Sequence, residues 1–218
     1  MRYLAVIPAR GGSKGLKDKN LRPLGSVPLI CWSIQQAIKS DICDVVFTTD
    51  SQKMIDVVKK ENYPIHIIHR PSFLADDEVP ITPVVIHACQ QQEKPYEAVI
   101  ILQPTSPLRI AEDIVNAVEI FEKTNADSLL SVCEEHHSVW DRTDFGVVAL
   151  KTRLLNRQQE APIYIANGAI FITKWDVLLQ TCQRLYGHIE LYVMPHERSV
   201  DIHTIDDLKL AEWRLGGR

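Results

Sequence analysis

Short apolar runs and amphipathic stretches take turns along almost the whole of the 218-residue chain. Residues 3–9 (YLAVIPA), 44–49 (DVVFTT), 64–69 (PIHIIH), 97–102 (EAVIIL), 127–133 (DSLLSVC), 168–173 (GAIFIT) and 189–194 read as buried strands. Between them, residues 28–40, 51–62, 82–92, 110–123, 174–185 and 206–215 carry apolar side chains at helical spacing. Their predicted starts are marked by Pro28, by Ser51, by the Thr82-Pro83 pair and by Thr204 with Asp207 as a capping box. Strands that alternate with helices build a largely parallel sheet covered on both faces, because each parallel crossover needs a helix. The alternation lapses at 134–166, where only 146–150 (GVVAL) has strand character. That stretch is the one candidate for a projection from an otherwise single domain spanning 1–218.

In an open α/β sheet, ligands bind beyond the carboxyl ends of the strands. The residues that follow the apolar runs therefore carry the functional argument. After the first strand comes Arg10-Gly11-Gly12-Ser13-Lys14-Gly15-Leu16-Lys17-Asp18-Lys19-Asn20. It is neither a Walker A loop nor GxGxxG, yet it is a phosphate-cradle candidate. Glycines let the backbone approach a ligand, and four cations in the loop match the charge of a triphosphate. Asp50 ends the second strand and Arg70 the third. Gln103, a neutral donor and acceptor suited to a base or sugar, opens the proline-stiffened turn Gln103-Pro104-Thr105-Ser106-Pro107. Asn167 precedes Gly168, a pair that also serves as a simple turn. Asp201 and His203 lie two apart, so in extended chain they share a face. A carboxylate there suits Mg²⁺ arriving with substrate phosphates, whereas an imidazole suits softer ions such as Mn²⁺. The adjacent His136 and His137, with Trp140, lack metal-ligand spacing and read as loop or interface residues.

The net charge of −4 argues against a nucleic-acid partner held by bulk electrostatics, while leaving room for a local basic pocket. No apolar run approaches the roughly 18–20 residues of a membrane span, and Pro8-Ala9-Arg10 breaks the first one too early for a signal peptide. The five cysteines are scattered and form no CxxC or Cys/His cluster, as expected of reduced core residues in a cytoplasmic protein.

Taken together, the motifs IPARGGSKGLKDKNL (7–21), TTDS (48–51), HRPSFLADD (69–77), LQPTSPLR (102–109), Arg157-Gln158, NGAIFIT (167–173) and SVDIHTIDDLKLAE (199–212) resemble those of the acylneuraminate cytidylyltransferase family, in family order over nearly the whole chain. The resemblance implies a Rossmann-like α/β nucleotidyltransferase fold with a mostly parallel central sheet. It implies a homodimer in which a small projection, here 134–166, reaches toward the partner's site. It also implies a reaction of CTP with a nine-carbon keto-sugar acid, giving a CMP-sugar and pyrophosphate with Mg²⁺. On this resemblance Arg10, Lys14 and Lys19 match triphosphate-handling positions, with Gly11, Gly12 and Ser13 completing the nucleotide loop. Asn20 and Arg70 match nucleoside contacts. Gln103 and Asn167 match contacts to the sugar acid, and Arg157 matches a basic position near its carboxylate. Asp201 matches the first of two metal-binding aspartates.

Three positions depart from the family pattern. His203 stands where a second aspartate is usual. Phe171 replaces the tyrosine typical of sialic acid enzymes. The segment around Arg184-Leu185-Tyr186 lacks the Phe-Phe pair that some members pack on the sugar's acyl group. The expected activity is thus cytidylyl transfer to an N-acylneuraminate-type sugar. The alternatives are the same chemistry on legionaminic acid, pseudaminic acid or 3-deoxy-manno-octulosonate, a sugar 1-phosphate nucleotidyltransferase, or a nucleotide-binding relic.

Overall fold

The computed structural model describes residues 2–12, 15–151 and 162–216. Along the chain run β1 (Tyr3–Pro8), a short ribbon of β2 (Pro23–Leu24) and β3 (Val27–Pro28), α1 (Leu29–Ser40), β4 (Cys43–Thr49), α2 (Gln52–Lys60), β5 (His66–His69), α3 (Ile81–Gln90), β6 (Ala98–Ile101), α4 (Ala111–Thr124) and β7 (Ser128–Glu135). Then follow β8 (Val139–Thr143), β9 (Gly146–Lys151), β10 (Ile163–Lys174), α5 (Trp175–Thr181), β11 (Ile189–Val193) and α6 (Ile205–Gly216).

Seven strands form the central sheet in the order β11-β7-β10-β6-β1-β4-β5. All neighbouring pairs are parallel except those of β10, which runs antiparallel to both β6 and β7. β1 sits near the middle and alternates its side chains between two cores, as the period of two requires. Tyr3, Ala5 and Ile7 face α1, α2 and α4, where they meet Ile30, Ile34, Met54, Ile114 and Phe121. Leu4 and Val6 face Val85, Ala88 and Leu178 of α3 and α5. Burial of both faces is why these strands read as continuous apolar runs.

A third, smaller cluster packs Leu16, Leu24, Leu29 and Leu108 against Val200, Ile202, Leu208 and Ala211. It pins the loop after β1 to the segment before α6. That helix begins as its sequence suggests: the Asp207 amide donates to Thr204 Oγ1 at 3.2 Å, and the Thr204 amide donates to Asp207 Oδ2 at 2.7 Å.

Three local expectations need correction. Helix α3 starts at Ile81, so Thr82 and Pro83 lie within its first turn rather than at its boundary. Proline is tolerated there because first-turn amides have no intrahelical acceptor. Strand β10 covers twelve residues, not six. Asn167-Gly168 is a bulge within it, marked by a register shift between Ala166 and Phe171 and by φ +71° at Gly168. The expected irregular stretch contains a second hairpin strand, so that β8 and β9 pair antiparallel as a separate two-stranded sheet. Among the cysteines, Cys31 and Cys89 are buried as expected, whereas Cys182 is exposed at the C-cap of α5.

Candidate active site

The sheet order reverses at β1: β4 and β5 extend to one side of it and β6 to the other. At such a switch point the loops leaving adjacent strands diverge and open a crevice. A cleft of about 290 Å³ lies there. Its walls include Arg10, Gly15, Lys19 and Asn20 from the loop after β1, Gln103 and Thr105 from the turn after β6, Ile81 at the start of α3, and His203.

Each polar group is held by a different part of the fold. Asn20 lies in a 3₁₀ turn, Lys19–Leu21, with its side chain buried. Its Nδ2 donates to the Arg10 carbonyl at 3.3 Å, and its Oδ1 is buried with no partner. Lys19 Nζ donates to the Ile202 carbonyl at 2.7 Å, which ties the glycine loop to the Asp201 segment. Desolvation lowers the Lys19 pKa, partly offset by the attraction of Asp201. A cation kept partly dry gains more from an anionic ligand than one in bulk water.

Arg10 is ion-paired with Asp77, from the turn before α3. Arg70 is buried at the end of β5. One guanidinium nitrogen donates to the Thr48 carbonyl at 3.3 Å, another lies 3.6 Å from Asp50 Oδ1, and Nε has no partner. Burial pushes its pKa down, against the raising effect of Asp50.

Gly11 is tied into the fold. Its amide donates to Asp50 Oδ1 at 3.1 Å, and a Cβ there would stand 3.1 Å from the Ser51 Cβ. Gly12 has open space on its Cβ side. Ser13, Lys14 and Arg157 lie outside the described residues.

Asp201 and His203 do share a face. They alternate with buried Val200 and Ile202, and His203 Nε2 donates to Asp201 Oδ2 at 2.9 Å. The Ile202 amide donates to the Thr105 carbonyl at 2.8 Å, fixing the segment beside the β6 turn. Asp201 Oδ1 is buried without a hydrogen-bond partner, an acceptor left for a hard cation. Among the described residues no group of three or more His, Cys, Asp or Glu side chains is arranged to hold a metal ion. Any cation held at Asp201 would therefore draw most of its ligands from elsewhere.

Asn167 is placed differently from the other predicted contacts. Its carboxamide is occupied within the protein. Nδ2 donates to Ser199 Oγ at 2.9 Å, and Oδ1 accepts from Ser131 Oγ at 2.6 Å and from the Ala169 amide at 3.2 Å. It braces the bulge of β10 against β7 and the Asp201 segment. Gln103 lines the cleft, and its carbonyl accepts from Ser33 Oγ at 3.3 Å.

Asp50 at a strand end and Arg109 at the end of the LQPTSPLR motif carry no sequence signal of what they do. Arg109 is fully buried, donates to the Ala169 carbonyl and to Ser33 Oγ, and thereby joins the β6 turn, α1 and β10 behind the cleft. Its burial pushes its pKa down to about 10. Asp77 was visible only as the last residue of a motif.

These features define an α/β protein with a basic loop and a cleft at its topological switch point, the architecture of the nucleotidyltransferases. A solved CMP:2-keto-3-deoxy-manno-octonic acid synthetase complexed with CTP has the same fold, with a TM-score of 0.76 over 100% of this chain and 99% of that one at 16% identity. Residues 4–210 match the cytidylyltransferase family model, and the chain belongs to that family. It is 33% identical to a CMP-N,N'-diacetyllegionaminic acid synthase of Legionella pneumophila, covering 97% of this chain and 95% of the relative. It is 32% identical to an N-acylneuraminate cytidylyltransferase of Escherichia coli, covering 96% of this chain and 51% of that longer protein. No helix among the described residues is long and apolar enough to cross a membrane.

Proposed function

We propose that this cytidylyltransferase transfers CMP from CTP to the anomeric hydroxyl of a nine-carbon keto-sugar acid of the neuraminic, legionaminic or pseudaminic type, releasing pyrophosphate. One observation carries the reading: Arg10, Lys19, Asn20 and Gln103 converge on a single cleft at the switch point, with the Asp201 segment fastened to it through Lys19 and Thr105. Names of relatives that act on different sugars of this kind support the sugar class.

In the proposed reaction the sugar's anomeric oxygen attacks the α-phosphorus of CTP. The new O–P bond forms as the bond to the β-phosphate bridge breaks, the hydroxyl proton passes to solvent, and pyrophosphate leaves. Lys19 and Arg10 stabilise the charge gathering on the leaving group, together with Lys14 of the same loop. Asn20, with its unpartnered Oδ1, and Arg70, whose Nε alone has no partner, are assigned to the nucleoside. Gln103 and Arg157 are assigned to the sugar acid, and Asn167 acts by holding the bulge beside it. Most of the rate enhancement then comes from positioning and fixed charge, as expected for phosphoryl chemistry.

Asp201, with His203 beside it, is the proposed site for Mg²⁺ or Mn²⁺. The orphaned Oδ1 fits a hard cation, and the small protein ligand set fits an ion that arrives with the nucleotide. When bound, the cation would offset phosphate charge and acidify the attacking hydroxyl. The exposed apolar hairpin β8–β9 is the proposed homodimer contact.

The deciding experiment is pyrophosphate release with CTP across N-acetylneuraminic, legionaminic, pseudaminic and 3-deoxy-manno-octulosonic acids. Turnover with a nine-carbon acid, at kcat/KM well above that of the eight-carbon acid, is expected. Absence of release with every nine-carbon acid would overturn the reading.

A further inference from the structure

Asp113, in the first turn of α4, is sealed from solvent, with a side chain 1% exposed. Its two oxygens receive four hydrogen bonds. Oδ2 accepts from the Ile110 amide at 3.0 Å and from Arg198 Nε at 3.0 Å. Oδ1 accepts from Tyr192 Oη at 2.8 Å and from Arg198 Nη2 at 2.6 Å. The Ile110 bond starts the helix, and the Tyr192 bond joins α4 to β11. The two bonds from Arg198 do neither of these things.

Arg198 lies in a 3₁₀ turn, His196–Arg198, within the strap that leads from β11 to α6. Three residues further on, that strap carries Asp201. Its downstream end is pegged by the Ile202 amide on the Thr105 carbonyl, by Lys19 on the Ile202 carbonyl and by the burial of Val200 and Ile202. Its upstream end is held by Arg198 on Asp113, by Arg214 on the carbonyls of His196 and Glu197, and by Ser199 Oγ, which accepts from Asn167. A two-pronged guanidinium–carboxylate pair fixes orientation as well as distance. Asp201 therefore hangs between two rigid fastenings.

We propose that Asp113 and Arg198 form a positioning pair that sets the strap and, through it, presents the Asp201 carboxylate to a divalent cation. The inference rests on the reading of Asp201 as a metal ligand. Partners behind a metal ligand set its orientation, and their loss typically weakens metal affinity by about 10–100-fold. Neither residue touches substrate or metal. Both act through the strap.

The test compares Arg198→Ala, Arg198→Lys, Tyr192→Phe and Asp201→Asn in the full chain. Mn²⁺ binding in the presence of CTP is followed by electron paramagnetic resonance of the free ion, alongside thermal denaturation and Mg²⁺ activation curves. Arg198→Ala is expected to weaken Mn²⁺ binding at least about tenfold, while the KM for CTP at saturating Mg²⁺ stays near that of the parent. Arg198→Lys keeps a cation on the buried carboxylate but loses the fork, so it should fold and fall between the two. Tyr192→Phe takes a hydrogen bond from the same carboxylate without releasing the strap; its Tm should fall while its Mn²⁺ affinity does not. Parental Mn²⁺ affinity in the folded Arg198 variants, with Asp201→Asn impaired, would reduce the pair to a structural tie and overturn the inference alone. Parental affinity in Asp201→Asn would overturn the metal assignment and the inference with it.

Discussion

Arg10, on the loop after β1, is held by the carboxylate of Asp77 from the turn that leads into α3. Arg10 lines the cleft, and on the proposed function a triphosphate entering it would compete with Asp77 for the same guanidinium. Arg10 is about one-third exposed, so its pairing contributes little to stability but its charge is available to a ligand. Arg10→Ala should therefore reduce kcat/KM about 10²-fold, on the order of 2.7 kcal/mol of transition-state stabilisation, with little change in Tm. Near-parental kcat/KM would remove Arg10 from the mechanism.

The Asp201–His203 hydrogen bond leads to a second prediction. At the proposed cation site His203 would supply imidazole where a second carboxylate would add a hard oxygen, so Mn²⁺ should support turnover at least as well as Mg²⁺. Exchanging His203→Asp should move the preference toward Mg²⁺. An unchanged ratio of the two activities would place His203 beyond reach of the ion. Asp201→Ala should impair turnover with either ion, and full activity in that variant would end the assignment.

Gly168 carries the third prediction. Its φ of +71° is a region that side chains enter only under strain, and a Cβ there would stand 3.4 Å from Asp201 Oδ2. Gly168→Ala should cost about 1–3 kcal/mol and lower Tm by several degrees. Any loss of activity should follow from the strained bulge, since the added Cβ meets Asp201 Oδ2 at ordinary contact distance. A Tm equal to that of the parent would show that β10 can shed its bulge without loss.

The β8–β9 hairpin exposes Trp140, Phe145, Val147 and Leu150 together, with Phe145 fully exposed. Tyr164 and Ile165 of β10 are exposed as well. The parent chain should be a dimer by light scattering at micromolar concentration. Trp140→Asp with Phe145→Asp should give a monomer with an unchanged circular dichroism spectrum, because exposed substitutions cost the fold little. A parent monomer would refute the assignment of this surface.

The alternation of strands and helices was legible because the sheet is buried on both faces, which writes each strand as an unbroken apolar run. The pairing of Asp201 with His203 was legible from spacing, since residues two apart in extended chain must share a face. β10 was cut short because Asn167-Gly168 looks like a turn when it stands alone in sequence. Only the partners of the bulge, Ser131 and Ser199, show that the strand continues. β8 escaped notice because neither face of the hairpin is covered, so its residues carry no burial pattern. Arg109 and Asp113 were invisible as a structural centre for a different reason. Their partners lie 60 to 85 residues away, and no local pattern records which distant groups will meet.

The antiparallel course of β10 has a consequence for how the molecule is assembled on the ribosome. The four neighbours β5, β4, β1 and β6 are all encoded before residue 102, so half of the sheet can zip together while the remainder is still being synthesised. β7 emerges next but finds no partner among them: both of its neighbours, β10 and β11, lie downstream of it. It must wait for at least 28 further residues before Ile163 arrives to pair with Glu135. During that interval β6 presents a bare edge and β7 a free strand, the kind of exposure that invites wrong pairing. Insertion of β10 between them covers the edge of β6 and one edge of β7, and leaves the other edge of β7 to β11. β10 also carries Asn167 and Gly168, yet the cleft closes later still, when the chain reaches the segment of Ile202 and His203 that Lys19 and Thr105 hold.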